Sequence, residues 1–131
     1  MGVKQVIKLK DLLTEGKITS DVDRAAKKLG INFKKKVKTK FTNDFTGVNE
    51  PGEKVKFNSW MDDNPKDMKN QTNQLVKILQ KKYKLVKHNK YARGEGFVFS
   101  KKNKDPKSIF SISYAKSMAG PYISYDGVLG E

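Results

Sequence analysis

Residues 25–41 read AAKKLGINFKKKVKTKF, and the change of period at Gly30 decides the fold class. Before that glycine, Val22, Ala25, Ala26 and Leu29 recur at helical spacing; after it, apolar residues alternate with lysines. Ile31, Phe33, Val37, Thr39 and Phe41 then share one face of an extended strand, and Lys34, Lys36, Lys38 and Lys40 line the other. A helix that stops at a glycine and hands over to a strand predicts an α+β unit. The alternative is a helix-turn-helix, because residues 25–31 have the form of its first helix and glycine turn. That motif needs a second helix, whereas residues 32–41 alternate and Lys36 stands where an apolar anchor of the recognition helix is usual.

Working outward, Val3, Val6, Ile7, Leu9, Leu12 and Leu13 predict an N-terminal amphipathic helix ending at Gly16. A second helix follows, with Thr19 or Ser20 as N-cap and Asp21 and Asp23 in its first turn, where carboxylates meet the positive end of the helix dipole. Toward the C-terminus, Asn43, Asp44, Gly47, Asn49, Pro51 and Gly52 mark a turn-rich loop, and residues 54–60 alternate again as a short strand with Val55 and Phe57 inward. Asn64-Pro65 then predicts the start of a longer central helix running to about Lys82, with Met68, Thr72, Leu75, Ile78 and Leu79 inward. Beyond Tyr83 helix gives way to strand, and a loop spans residues 89–96. The last third predicts an antiparallel meander over residues 96–102, 108–114 and 121–125, with turns at 103–106 and 117–120. The expected architecture is therefore one domain over residues 1–131. Two N-terminal helices and a longer central helix pack on a mostly antiparallel sheet of five or six strands.

The 131 residues carry 28 Lys and Arg against 14 Asp and Glu, a formal net charge of +14. Self-repulsion on that scale opposes the folded state unless an anionic partner offsets it. The charge is concentrated: residues 1–42 hold 12 basic and 4 acidic groups, and residues 74–104 hold 10 and 1, while the segments between and after are slightly acidic. Cysteine is absent, which excludes disulfides, thiol nucleophiles and thiolate metal sites. No apolar run approaches the ~20 residues of a membrane span, so the expectation is a cytoplasmic protein with no membrane partner.

The two basic blocks supply the candidate contacts to phosphate. In the first, Lys34, Lys36, Lys38 and Lys40 project about 6.6 to 7 Å apart along an extended strand. The same lysines also suit an edge strand protected against sheet-to-sheet pairing. In the second, Lys81, Lys84, Lys87, Lys90, Arg93, Lys101 and Lys102 have Glu95 as the only nearby acid, unlike a solvated face that interleaves both signs. Lysine outnumbers arginine, which favours backbone contact over bidentate base readout. Tyr91, in the expected loop, is the candidate for stacking on a base, whereas Phe97 and Phe99 share a strand face and read as core.

Catalytic signals are sparse. His88 is the single histidine and has no acidic neighbour in sequence. Asp62, Asp63 and Asp67, with Glu50 and Glu53, are the only carboxylates dense enough to suggest metal-assisted phosphodiester cleavage, yet the three aspartates equally suit the start of a helix. Arg93-Gly94-Glu95-Gly96 lacks the pattern of a phosphate-cradling loop. No cofactor and no metal site is expected.

Leu13-Thr14-Glu15-Gly16, together with the basic composition, resembles the internal head proteins of T-even bacteriophages. In that family a short capsid-targeting segment is cut off after a Leu/Ile-x-Glu site. The resemblance implies Glu15 before the cut, Gly16 as the new N-terminus and residues 1–15 as the targeting segment. It also implies a virion location followed by the host cytoplasm. From charge the leading expectation is a polyanion-binding protein that contacts DNA or RNA phosphates without sequence preference. A second expectation is a phage-encoded inhibitor that docks on an acidic patch of a host enzyme or defence complex. The third is a small metal-dependent nuclease using Asp62, Asp63 and Asp67.

Overall fold

The computed structural model describes residues 17–42, 55–102 and 110–128, with residues 35–42, 55–56 and 128 described through their backbone alone. The predicted helix over residues 3–13, Gly16 and the Glu15 cleavage site lie outside the described residues. The chain is α+β. Helix α1 covers residues 17–28, followed by β1 (Lys34–Thr42), β2 (Val55–Asp62), α2 (Met68–Gln80), β3 (Tyr83–Tyr91), β4 (Gly94–Lys101), β5 (Phe110–Ser117) and β6 (Gly120–Val128).

The strands form one antiparallel sheet in the order β1-β2-β6-β5-β4-β3. β4 to β6 are the expected meander, which β3 extends by one strand; its last strand docks against β2, so the β1–β2 hairpin extends the same sheet. Helix α2 carries the chain from β2 to the far edge at β3, packing on β5, β3 and β6 on the way. Its buried stripe is Gln71, Thr72, Leu75, Val76 and Leu79.

One face of the sheet and both helices enclose the core. Trp60 pairs with Tyr125 across β2 and β6, and Phe99 with Phe110 across β4 and β5. Tyr125 stacks on Trp60 at 5.1 Å and meets Phe110 edge-on at 5.8 Å, while Phe110 stacks on Phe99 at 4.8 Å and takes the edge of Tyr83 at 5.1 Å. The result is a file of rings crossing five strands. Each such pair contributes about 0.5 to 1.5 kcal/mol beyond the area it buries. From α1, Ile18, Val22, Ala25 and Ala26 close over it, and Thr19 Oγ1 lies 2.9 Å from Tyr125 Oη.

Gly30 ends α1 as predicted. It sits at φ +78°, with its amide donating to Lys27 O and the Ile31 amide to Ala26 O, which is a Schellman closure. Gln71 then joins the helices: its Nε2 donates to Leu29 O at the end of α1, and its Oε1 accepts from the Asp67 amide at the start of α2.

Several expectations need correction. Thr19 and Ser20 are interior to α1, not its N-cap, because Ile18 extends the buried stripe backward and Thr19 turns to Tyr125. β1 starts at Lys34 rather than Ile31, since Ile31 belongs to the helix closure and the Asn32 amide is taken by Asp62 Oδ2. Strict alternation in β1 is interrupted: the register with β2 shifts between Lys35 and Val37 and again between Val37 and Lys40. Asn64-Pro65 does not open α2. The Asn64 amide donates to Asp62 Oδ1 in a side-chain-closed turn, and the helix begins at Met68 with Asp67 as N-cap. The expected loop over residues 89–96 is a tight hairpin, with Tyr91 still in β3 and only Ala92 and Arg93 between the strands.

Gly127 makes room for the central ring. A Cβ there would run into Tyr125 Oη and stand 2.8 Å from its Cζ, and a shift of that ring would disturb its stacking on Trp60 and its bond to Thr19. We expect Gly127→Ala to lower the unfolding free energy by about 1 to 3 kcal/mol in urea denaturation, the usual range for overpacking; an unchanged midpoint would show that the ring does not lie over this residue.

Candidate nucleic-acid interface

The topology separates the two lysine-rich strands. β1 and β3 are opposite edges of the six-stranded sheet, roughly 24 Å apart at the usual spacing between strands. Lys34, Lys36, Lys38 and Lys40 therefore do not share a groove with the second block through the sheet; Lys34 is exposed, and the other three are described by backbone position alone.

Register also divides the second block. Lys84 and Lys87 pair with Ser100 and Val98, and Tyr91 with Gly94, which places them on the face away from the helices. Tyr91 is 60% exposed, with one flank of its ring against Gly96. Lys90 and Lys101 pair with Glu95 and Tyr83 on the helix-covered face. Arg93 sits in the β3–β4 turn, where its carbonyl accepts from the Lys116 amide. Lys102 Nζ donates to Lys81 O, a carbonyl at the C-terminal end of α2.

Cations do converge elsewhere, in a groove of about 380 Å³ between α1 and the junction of α2 with β3. One wall is Asp21, Arg24, Ala25 and Lys28 from α1; the other is Ile78, Leu79, Lys81, Lys82 and Tyr83. Arg24 and Lys28 lie one helical turn apart on one stripe of α1. The two-residue link Lys81-Lys82 is held by bonds from its amides to Ile78 O and Leu79 O, and so presents both lysines at the rim. Four exposed cations thus face one carboxylate.

That carboxylate is internal structure. Asp21 is only 12% exposed, and its Oδ2 accepts from Tyr83 Oη and Lys82 Nζ, each at 2.7 Å, with Arg24 at 3.8 Å. Burial pushes the Asp21 carboxyl up, but the bonds from Lys82 and Tyr83 and the charges of Lys82 and Arg24 outweigh it and hold it below the usual range. Burial raises the Tyr83 phenol, and the Asp21 carboxylate raises it further, so it stays a donor at all physiological pH.

A second cluster lies across three strands of the helix-covered face. His88 Nε2 is 2.9 Å from Glu95 Oε1, and Tyr114 Oη donates to Glu95 Oε2. The imidazole stacks on Phe97 at 4.5 Å and 14°. The Tyr114 bond chiefly holds the Glu95 carboxyl below its ordinary range, against some desolvation and with help from His88 and Lys69. Tyr114 is itself pushed up to about 12 by burial and by Glu95.

The aspartates do not gather. Asp62 is buried and spends both oxygens on the backbone amides of Asn32 and Asn64; Asp63 is exposed; Asp67 is the N-cap of α2 and makes no side-chain capping bond. Among the described residues no group of three or more His, Asp or Glu is placed to hold a metal ion, and no helix is long and apolar enough to cross a membrane.

Sequence reasoning missed Arg24, Lys28 and the pairing of His88 with Glu95. Arg24 and Lys28 look like an ordinary solvated stripe, and their i,i+4 spacing beside the buried face was the only available signal. His88 and Glu95 are seven residues apart, and only the hairpin register brings them together. Comparison with protein-family models, characterised proteins and solved structures returned no match.

The Asp21 contacts carry a definite pH dependence. A carboxyl depressed in the folded state stabilises in full above its unfolded value of about 3.9, and this contribution is lost as pH falls through the folded value. Asp21→Asn should therefore cost about 1 kcal/mol at pH 7 in urea denaturation, and the gap to the parent protein should close toward pH 3. A gap that persists at pH 3 would mean that ionisation of Asp21 is not what stabilises the contact.

Proposed function

We propose that this protein binds nucleic acid through its phosphate backbone, without base readout, and that the groove between α1 and the α2–β3 junction is its principal contact. The observation that supports this reading is the convergence of Arg24 and Lys28 with Lys81 and Lys82, drawn from elements more than fifty residues apart, around a groove with a single, already paired carboxylate. Charge left to the solvent has no reason to converge in this way, whereas a chain of phosphates neutralises several cations at once and releases their counterions.

The chemistry of the walls favours a nucleic acid over an amphipathic acidic peptide. A peptide needs apolar surface to dock on, but Ala25, Leu79 and Tyr83 are already 8%, 3% and 6% exposed and have little left to offer. Only Ile78 is half-buried. Recognition in the groove is therefore ionic. Lys102 beside Lys81, and Lys90 and Lys101 on the same side of the sheet, extend the positive rim along β3 and β4. On β1, Lys34, Lys36, Lys38 and Lys40 take the other role open to them, guarding a strand that is an edge among the described residues and whose register shifts also discourage pairing.

Binding of a fluorescent single-stranded oligonucleotide, measured by anisotropy across a salt series, tests the proposal. Replacing Arg24, Lys28, Lys81 and Lys82 together by Gln should reduce the slope of log affinity against log salt by about 3, since each phosphate contact on a single strand contributes about 0.7. Oligonucleotides of different base composition should bind alike. An unchanged slope in the fourfold variant, or no salt dependence in the parent protein, would refute the assignment.

A further inference from the structure

We infer that the His88–Glu95–Tyr114 cluster is a ribonuclease site, in which His88 cleaves the backbone of bound RNA by passing a proton from the ribose 2′-hydroxyl to the departing 5′-oxygen. This rests on the nucleic-acid reading above, but it concerns different residues at the other end of α2.

The geometry is that of a base held by an orienting acid. Glu95 is anchored on one oxygen by Tyr114 from β5 and presents the other to His88 Nε2 from β3. An ionised carboxylate accepts only, so the neutral imidazole carries its proton on Nε2 and leaves Nδ1 as a free acceptor. Stacking on Phe97 fixes the plane of the ring, while the side chain stays 37% exposed and within reach of a ligand. Two independent contacts thus hold an imidazole in one tautomer and one orientation, more than a half-exposed surface histidine needs for stability.

The surroundings favour a phosphodiester. Lys90 stands directly opposite Glu95 in the β3–β4 register, and Lys69 from the first turn of α2 is close enough to act on the Glu95 charge. Both are exposed cations able to offset charge developing on the phosphoryl oxygens. An imidazole can take a proton on one ring nitrogen and return it, as general acid–base catalysis requires.

RNA is the substrate class because it brings its own nucleophile. His88 Nδ1 takes the 2′-O–H proton, and the 2′-oxygen forms a bond to phosphorus. The bond from phosphorus to the 5′-oxygen breaks, and that oxygen receives the proton from the imidazolium, which Glu95 stabilises in between. The products are a 2′,3′-cyclic phosphate and a 5′-hydroxyl; no water, oxidant or further reactant is consumed. DNA lacks the 2′-oxygen and offers this site nothing to activate. His88 is the catalytic residue, and Glu95 and Tyr114 are positioning residues.

The test incubates the full chain, in EDTA, with an end-labelled single-stranded RNA and with DNA of the same sequence, and measures binding of each in parallel. RNA fragments ending in cyclic phosphate, with intact DNA, are expected. His88→Ala should still bind RNA but cut at least about 100-fold more slowly, the usual range for losing a general base, and added imidazole should restore part of the rate. Glu95→Gln should retain activity but shift the acid limb of the pH–rate profile. His88→Gln, which keeps a donor toward Glu95, serves if the alanine variant does not fold. RNA that is bound and left uncut, or cut equally well by both His88 variants, would overturn the inference and leave the binding reading standing. RNA that is not bound at all overturns both.

Discussion

The file of rings from Trp60 through Tyr125 and Phe110 to Phe99 and Tyr83 is the contact on which the other elements of this molecule depend. A chain with a net charge of +14 works against its own repulsion when it folds, and here the opposing attraction is a continuous aromatic layer crossing five of six strands. Helix α1 is positioned by it at two points. Tyr125 holds α1 through Thr19, and Tyr83, packed edge-on to Phe110, holds α1 a second time through Asp21. The distance between α1 and the end of α2, and hence the groove that gathers Arg24, Lys28, Lys81 and Lys82, follows from the same layer.

Much of the architecture is legible in the sequence because short-range rules govern it. The change of period at Gly30 is a helix closure with a positive φ, as the glycine requires, and the alternation after residue 94 is a meander as expected. Failures occur where another partner displaces the one the local pattern implies. Thr19 has the chemistry of an N-cap but spends its hydroxyl on Tyr125, 106 residues away. Asn64-Pro65 has the form of a helix start, yet Asp62 recruits the Asn64 amide into a turn and postpones the helix to Met68. The period-two pattern of the lysine tract does not reveal the two register shifts, which arise only in pairing with β2.

The site is less legible than the fold. Charge counting finds the two basic blocks but not their separation onto opposite edges, because β6 enters between β2 and β5 and no local pattern specifies that insertion. The cations that meet do so across a helix–helix contact, and half of them come from a stripe of α1 without any motif. Likewise, His88 looks isolated until the β3–β4 register brings Glu95 against it. Composition therefore motivates the proposal of an anionic partner, and tertiary packing selects which of 28 basic residues can act together.

In the function proposed above, anion binding resides in the groove beside α1 and not in the lysine tract of β1. The most direct measurement is a backbone amide chemical-shift titration of the labelled protein with a short single-stranded oligonucleotide at low salt. Perturbations should centre on residues 21–28 and 78–84 and extend along β3, with residues 34–42 nearly unmoved. Perturbations confined to residues 34–42, or spread evenly over all lysine-rich segments, would contradict it.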